Sequence, residues 1–166
     1  MSERELAIAQ IKEARNYVSA ILETIPDADW LTFPSGCESN IAWQVAHLAM
    51  ANYRLGLERV RGVQPSDETL ISKAFMETYQ KGTIPNSSAD KNFPIADIKR
   101  IFKAVYEQVL TEEGSWTDEF LQGDTVTPHR LFTKKIDALW WCGRHEMLHA
   151  GQIGLIRRML GQKPIW

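Results

Sequence analysis

KIDALWWCGRHEMLHAGQIGLIRRML, residues 135–160, is the stretch from which the fold is read. Its apolar residues recur at helical spacing. His145 and His149 stand four apart, so at about 3.6 residues per turn their imidazoles stack on one face. That face also carries Leu139, Cys142, Gln152, Ile156 and Met159. An amphipathic helix turns such a stripe to a core. Imidazole nitrogens placed there need partners, because burying an unpaired polar group is costly. A divalent transition ion is one solution, since two histidines at i and i+4 suit it. Hydrogen bonds to core side chains or water are the other. Gly161 and Pro164 stop the helix, and Arg157 and Arg158 suit its negative end.

Three more helices precede it. Ile8, Ile11, Ala14, Val18, Ile21 and Ile25 predict a helix over 3–25, ended by Pro26 and Asp27. After the loop WLTFPSGCES, Ser39 or Asn40 offers an N-cap for a second helix over 40–61. It buries Ile41, Val45, Leu48 and Tyr53 or Leu55, carries His47 in its second turn, and stops at Gly62. A third, over 95–113, shows Ile98, Ile101, Phe102, Val105 and Val109. Residues 70–82 admit a short helix, and 82–94 and 114–134 read as irregular. Antiparallel neighbouring helices need only about two to eight connecting residues. The far longer link between the second and third helices therefore predicts a parallel pair joined by a crossover. No β-alternation of useful length appears. The expected fold is all-α: a single domain over 1–166, a four-helix bundle with one long crossover between helices 2 and 3.

The 166 residues suffice for a sizeable core. Nineteen Lys and Arg against 21 Asp and Glu give a net charge of −2, so no global basic field invites nucleic acid. Cys37 and Cys142 make no disulfide framework. Cys142 lies three residues before His145 and is either a thiolate ligand or a buried thiol. MSERELAIAQ has acids where a signal peptide carries bases. No apolar run reaches the ~18 residues of a membrane span. A cytoplasmic protein is expected, with neither membrane nor nucleic acid as partner.

His145-Glu146-Met147-Leu148-His149 spells the H-E-x-x-H of zinc peptidases. Those enzymes take a third ligand downstream, but AGQIGLIRRMLGQKPIW contains no Asp, Glu or His, and no sheet precedes the helix. A third ligand must come from upstream. His47, flanked by Ala46, Leu48 and Ala49, is the best candidate, since bundle metal sites draw side chains from facing helices. Three imidazoles would leave positions open, as catalytic metal sites do. His129, after Pro128, reads as a surface histidine. Glu146 is a general base, a partner for a histidine Nδ1 proton, or a solvent-facing carboxylate. Gln152 orients a ligand histidine or a metal-bound water, or is an ordinary polar residue. Gly143, Gly151 and Gly154 serve close helix packing or widen a channel. Trp43, Trp140 and Trp141 are core, or line an apolar substrate pocket.

Trp43-Gln44-Val45-Ala46-His47-Leu48 and the run from His145 to Gly161, with Ala150, Gly151, Gln152, Ile153, Arg157 and Arg158, resemble the DinB-like superfamily of metalloproteins. The order of elements resembles it too. The resemblance implies an up-down-down-up bundle, a metal held by His47, His145 and His149, with zinc or nickel the usual ion, and a homodimer. It implies a small-molecule substrate, and in the thiol-dependent branch a low-molecular-weight thiol that is transferred. Two functions follow as expectations: a metal-dependent enzyme of S-transferase or hydrolase type, with Glu146 and Gln152 as candidate catalytic residues, or a non-catalytic metal-binding or stress-response module whose metal stabilises the fold.

Overall fold

A computed structural model describes residues 1–165. Helix α1, Glu3–Leu22, starts in a capping box: the Ser2 hydroxyl accepts from Glu5 N–H, and the Glu5 carboxylate accepts from Ser2 N–H. It ends three residues earlier than the apolar pattern predicts. The Thr24 hydroxyl donates to the Ile21 carbonyl in the turn that follows, and Ile25 stays buried beyond the helix. Helix α2, Ile41–Tyr53, is capped by Asn40, whose side chain accepts from Trp43 N–H at 2.9 Å. The rod continues through a widened π turn, Arg54–Glu58, and a last turn, Arg59–Arg61. Gly62 stops it at φ 88°, where glycine carries no steric penalty. Together these cover the helix expected over 40–61.

The long connection holds α3, Asp67–Leu70, and α4, Lys73–Tyr79. Helix α5 spans Ile95–Glu112, α6 Asp118–Leu121 and α7 Lys135–Met159. Among the described residues the only bridge pairing is isolated, between Asp124 and Lys134. The fold is all-α. Helix α7 packs against α1 and α2, and α2 packs also against α5 and α4. One apolar core lies between them, with Trp30, Tyr53, Phe75 and Tyr79 among its largest side chains. Gly56, in the π turn, lets α2 approach α5: a Cβ there would stand 2.8 Å from a Val109 methyl. No described helix is long and apolar enough to cross a membrane.

The buried stripe of α7 is rotated from the one expected. It runs through Leu139, Cys142, Glu146, His149, Ile153 and Ile156, all buried. His145 is half-buried, Gln152 is exposed and Met159 is 42% exposed. These three stand seven apart, so they mark one edge of the stripe, and that edge leaves the core. The same rotation brings Glu146 into the core.

Candidate metal centre

Helix α2 supplies His47, and α7 supplies His145 and His149 one turn apart. Each offers a ring nitrogen to a group whose members all lie within 4.8 Å of one another. Ring centroids are 4.6 Å apart for His145 and His149, 4.9 Å for His47 and His149, and 5.4 Å for His47 and His145. His47 and His149 are buried at 6% and 8% exposure.

Two of the rings are held from behind. The Nδ1 of His47 lies 2.8 Å from the Tyr79 carbonyl oxygen. The Nδ1 of His149 lies 2.5 Å from Gln44 Oε1. Both partners are acceptors only, so both Nδ1 atoms carry the proton and both Nε2 atoms keep a free lone pair. Such oxygen partners on the far nitrogen are the usual way a ligating histidine is oriented. The holders are themselves held. The Gln44 amide donates to the Ser39 hydroxyl at 2.8 Å. The Tyr79 hydroxyl accepts from Phe93 N–H at 2.9 Å. Trp43 stacks flat on His47, centroids 4.8 Å apart and planes 10° apart, and its indole N–H donates to Thr83. The connection between α2 and α5 thus helps to place His47.

Burial favours the neutral form of all three rings. It lowers His47 below the ordinary 6.5. Burial first, then the neighbouring histidines, pushes His145 down to about 4 and His149 to about 3. Neutral imidazole is the ligand form, so no proton need be removed at pH 7 before a cation binds. His145 Nδ1 is buried with no hydrogen-bond partner among the described residues. An orphaned buried nitrogen beside two free lone pairs fits a divalent cation better than a closed hydrogen-bonded cluster.

The remaining candidate residues divide between the core and the cavity in front of the histidines. Glu146 is neither solvent-facing nor bound to an imidazole. It is fully buried, with Arg15 Nε at 2.6 Å, Arg15 Nη2 at 3.3 Å and Asn52 Nδ2 at 2.8 Å on its oxygens. The Cys142 thiol is buried among the same groups, 3.3 Å from Asn52 Oδ1, and burial pushes it well above the usual thiol range. It is the buried-thiol alternative and stands outside the histidine group. Gln152 lines the cavity in front of the histidines, while Gln44 holds the His149 ring. His129 is half-buried, stacks on Phe132 with centroids 4.0 Å apart, and lines the same cavity rather than open surface. Trp43 and Trp141 line it too, whereas Trp140 faces a separate hollow with Arg144. Gly143 packs close, since a Cβ would meet the Gln10 backbone at 3.3 Å; Gly151 and Gly154 have open space around them.

Sequence reasoning passed over Gln44, Tyr79 and Arg15. Gln44 left a faint signal as a polar residue one turn from His47 in a largely apolar helix. A backbone carbonyl such as that of Tyr79 leaves none. The cavity in front of the histidines measures about 470 Å³. The family model of the DinB superfamily matches residues 10–153, which include all three histidines, and the chain belongs to that superfamily. No curated protein matches it.

Proposed function

We propose that this DinB-superfamily member is a metal-dependent enzyme. Its His47, His145 and His149 would hold one divalent cation, zinc or nickel, at the inner end of a substrate cavity. The observation that carries this reading is the pair of oriented rings, with Nδ1 bound to Tyr79 and Gln44 and Nε2 left free, opening on a space of about 470 Å³. A bound cation would supply Lewis acidity toward a thiol, water or carbonyl group of a substrate. The chain's own residues then have distinct tasks. Gln44 and the Tyr79 carbonyl orient the rings, Trp43 and Trp141 shield the site from water, and Gln152 stands at the cavity wall to orient what enters. Glu146 acts as a positioning residue that fixes α7 in rotation, and not as a base. Cys142 has no access to the cavity's chemistry, so a transferred thiol would arrive as a low-molecular-weight co-substrate.

We also read the four long helices as an up-down-down-up bundle with residues 62–94 as the crossover. The packing of α2 against both α5 and α7, and the length of the link, support this. The function is tested by loading one equivalent of zinc or nickel, adding a thiol and an electrophile, and following thioether formation beside His145→Ala. A metal-dependent rate lost in the variant is expected. Stoichiometric metal binding with no rate for any thiol or hydrolysable ester would leave a metal that only stabilises the fold.

A further inference from the structure

The cavity in front of the histidines has a charge that the chain as a whole lacks. Arg54, Arg59, Lys81 and Arg130 all line it, and among the described residues no Asp or Glu does. Net charge is −2, so the acids are spent elsewhere. Other buried arginines show where: Arg15 sits on Glu146, and Arg61 is clamped between Asp67 and Glu112. Among the described residues, none of the four cavity cations makes an ion pair. Glu58 acts on Arg59 through space without bonding it.

Nor do the four belong to one solvated helix face. Arg54 comes from the π turn that continues α2, Arg59 from the last turn after it, Lys81 from the connection after α4, and Arg130 from the loop before α7. That loop is pinned in place: Val126 N–H donates to the Arg59 carbonyl at 2.9 Å, and Thr125 N–H to the Thr133 carbonyl at 2.7 Å. Arg59 is the most telling. Its Nη1 donates to the Arg54 carbonyl at 3.1 Å, but its Nε is buried and without a partner among the described residues. A guanidinium left part-desolvated and part-bonded is an anion receptor awaiting its acceptor.

We propose that the cavity takes a small anionic substrate, one carrying a carboxylate or phosphate that Arg59 and Arg130 hold, with Arg54 and Lys81 adding to the field, beside the histidine end. Trp43 and Trp141 provide the apolar wall for the rest of the molecule. The proposal names the substrate class of the site described above and rests on that reading for its chemistry, but not for its binding. The bond from Val126 N–H to the Arg59 carbonyl joins the loop that carries Arg130 to the turn that carries Arg59.

The test uses the full chain, metal-free and loaded with one equivalent of Co²⁺, with inorganic phosphate, succinate and neutral succinamide as probes. Tryptophan fluorescence reads the cavity and cobalt absorption reads the histidines separately. Both anions should bind in both forms, at least about tenfold more tightly than succinamide, and more weakly as salt rises. Arg59→Gln should weaken both anions about tenfold while leaving the cobalt spectrum in place. Should Arg59→Gln fail to fold, Arg130→Gln on the exposed loop carries the same expectation. Anions no tighter than succinamide in either form, or unaffected by the two substitutions, would overturn the proposal while cobalt binding upheld the metal reading. Anion selectivity without any cobalt spectrum would uphold it and overturn the metal reading instead.

Discussion

Glu146 and His149 lie on the same buried line of α7, three residues apart, yet they are treated in opposite ways. The Glu146 carboxylate is closed off: Arg15 and Asn52 take its oxygens. Arg15 in turn donates to the Phe102 carbonyl at 2.9 Å and lies 3.5 Å from the centre of the Phe102 ring. One polar knot thus ties α1, α2, α5 and α7 together, with no lone pair directed at a cavity. The histidine group is left incomplete. Its His47 and His149 rings are oriented from behind, the buried His145 Nδ1 has no partner among the described residues, and an open cavity adjoins the group. Polarity that is fully satisfied inside the protein specifies a structure. Polarity that is oriented but unsatisfied is held ready for something from outside.

The contrast can be broken at either end. Glu146→Ala should have the largest effect. Removing one partner of a buried pair strands the Arg15 charge and costs about 3–5 kcal/mol. At this chain length that is a fall in melting temperature of roughly 10 °C, measured by calorimetry. A shift near zero would mean that the knot is not structural. His145→Ala should do the reverse. Divalent-ion affinity by isothermal titration should drop by more than about 100-fold, beyond what loss of an orienting partner costs, while the metal-free melting temperature stays nearly unchanged.

Gln44→Ala tests the orienting half of the design. The His149 ring would lose its Nδ1 acceptor, and metal affinity should fall about 10- to 100-fold without loss of stoichiometry. Unchanged affinity would show that the bond to Gln44 is incidental.

Acid provides the smallest and most selective test. His145 and His149 titrate near 4 and 3 in the folded chain and near 6.5 when unfolded. Between those values the unfolded chain binds more protons, so stability is greatest above pH 6.5 and declines as pH falls toward 3. For the first pH unit below 6.5 the loss should be on the order of 1 kcal/mol in metal-free protein. Urea melts at several pH values would show it, and His149→Gln should flatten the slope. For the same reason bound metal should persist to about pH 5, which a peptide carrying the same two-histidine helix would not match.

The helices were legible because each has its own periodic stripe and its own stops. Asn40 caps α2, Gly62 ends it, and Ile98, Ile101, Phe102, Val105 and Val109 are the buried residues of α5. The histidines were legible because a pair at i and i+4 is a local pattern, and because an inward-facing His47 had few other reasons to be there. The angular placement of α7 was not. A stripe read from sequence has a width of about 100°, and the fourth-residue pair drew its centre toward His145. Glu146 belongs at that centre, since Arg15, 131 residues away in sequence, waits there to neutralise it.

The chain by itself determined four long helices, an all-α class and three imidazoles able to meet, because helical periodicity, caps and i, i+4 spacing are short-range and survive in one dimension. Only the tertiary structure decided which nitrogen of the His47 and His149 rings is free, that Glu146 is locked away while Gln152 and His129 look into the cavity, and that four cations with no ion pair among the described residues line it. Those outcomes depend on hydrogen-bond partners and charges brought together from distant segments. A backbone carbonyl such as that of Tyr79, or a salt bridge spanning most of the chain, has no local signature to read.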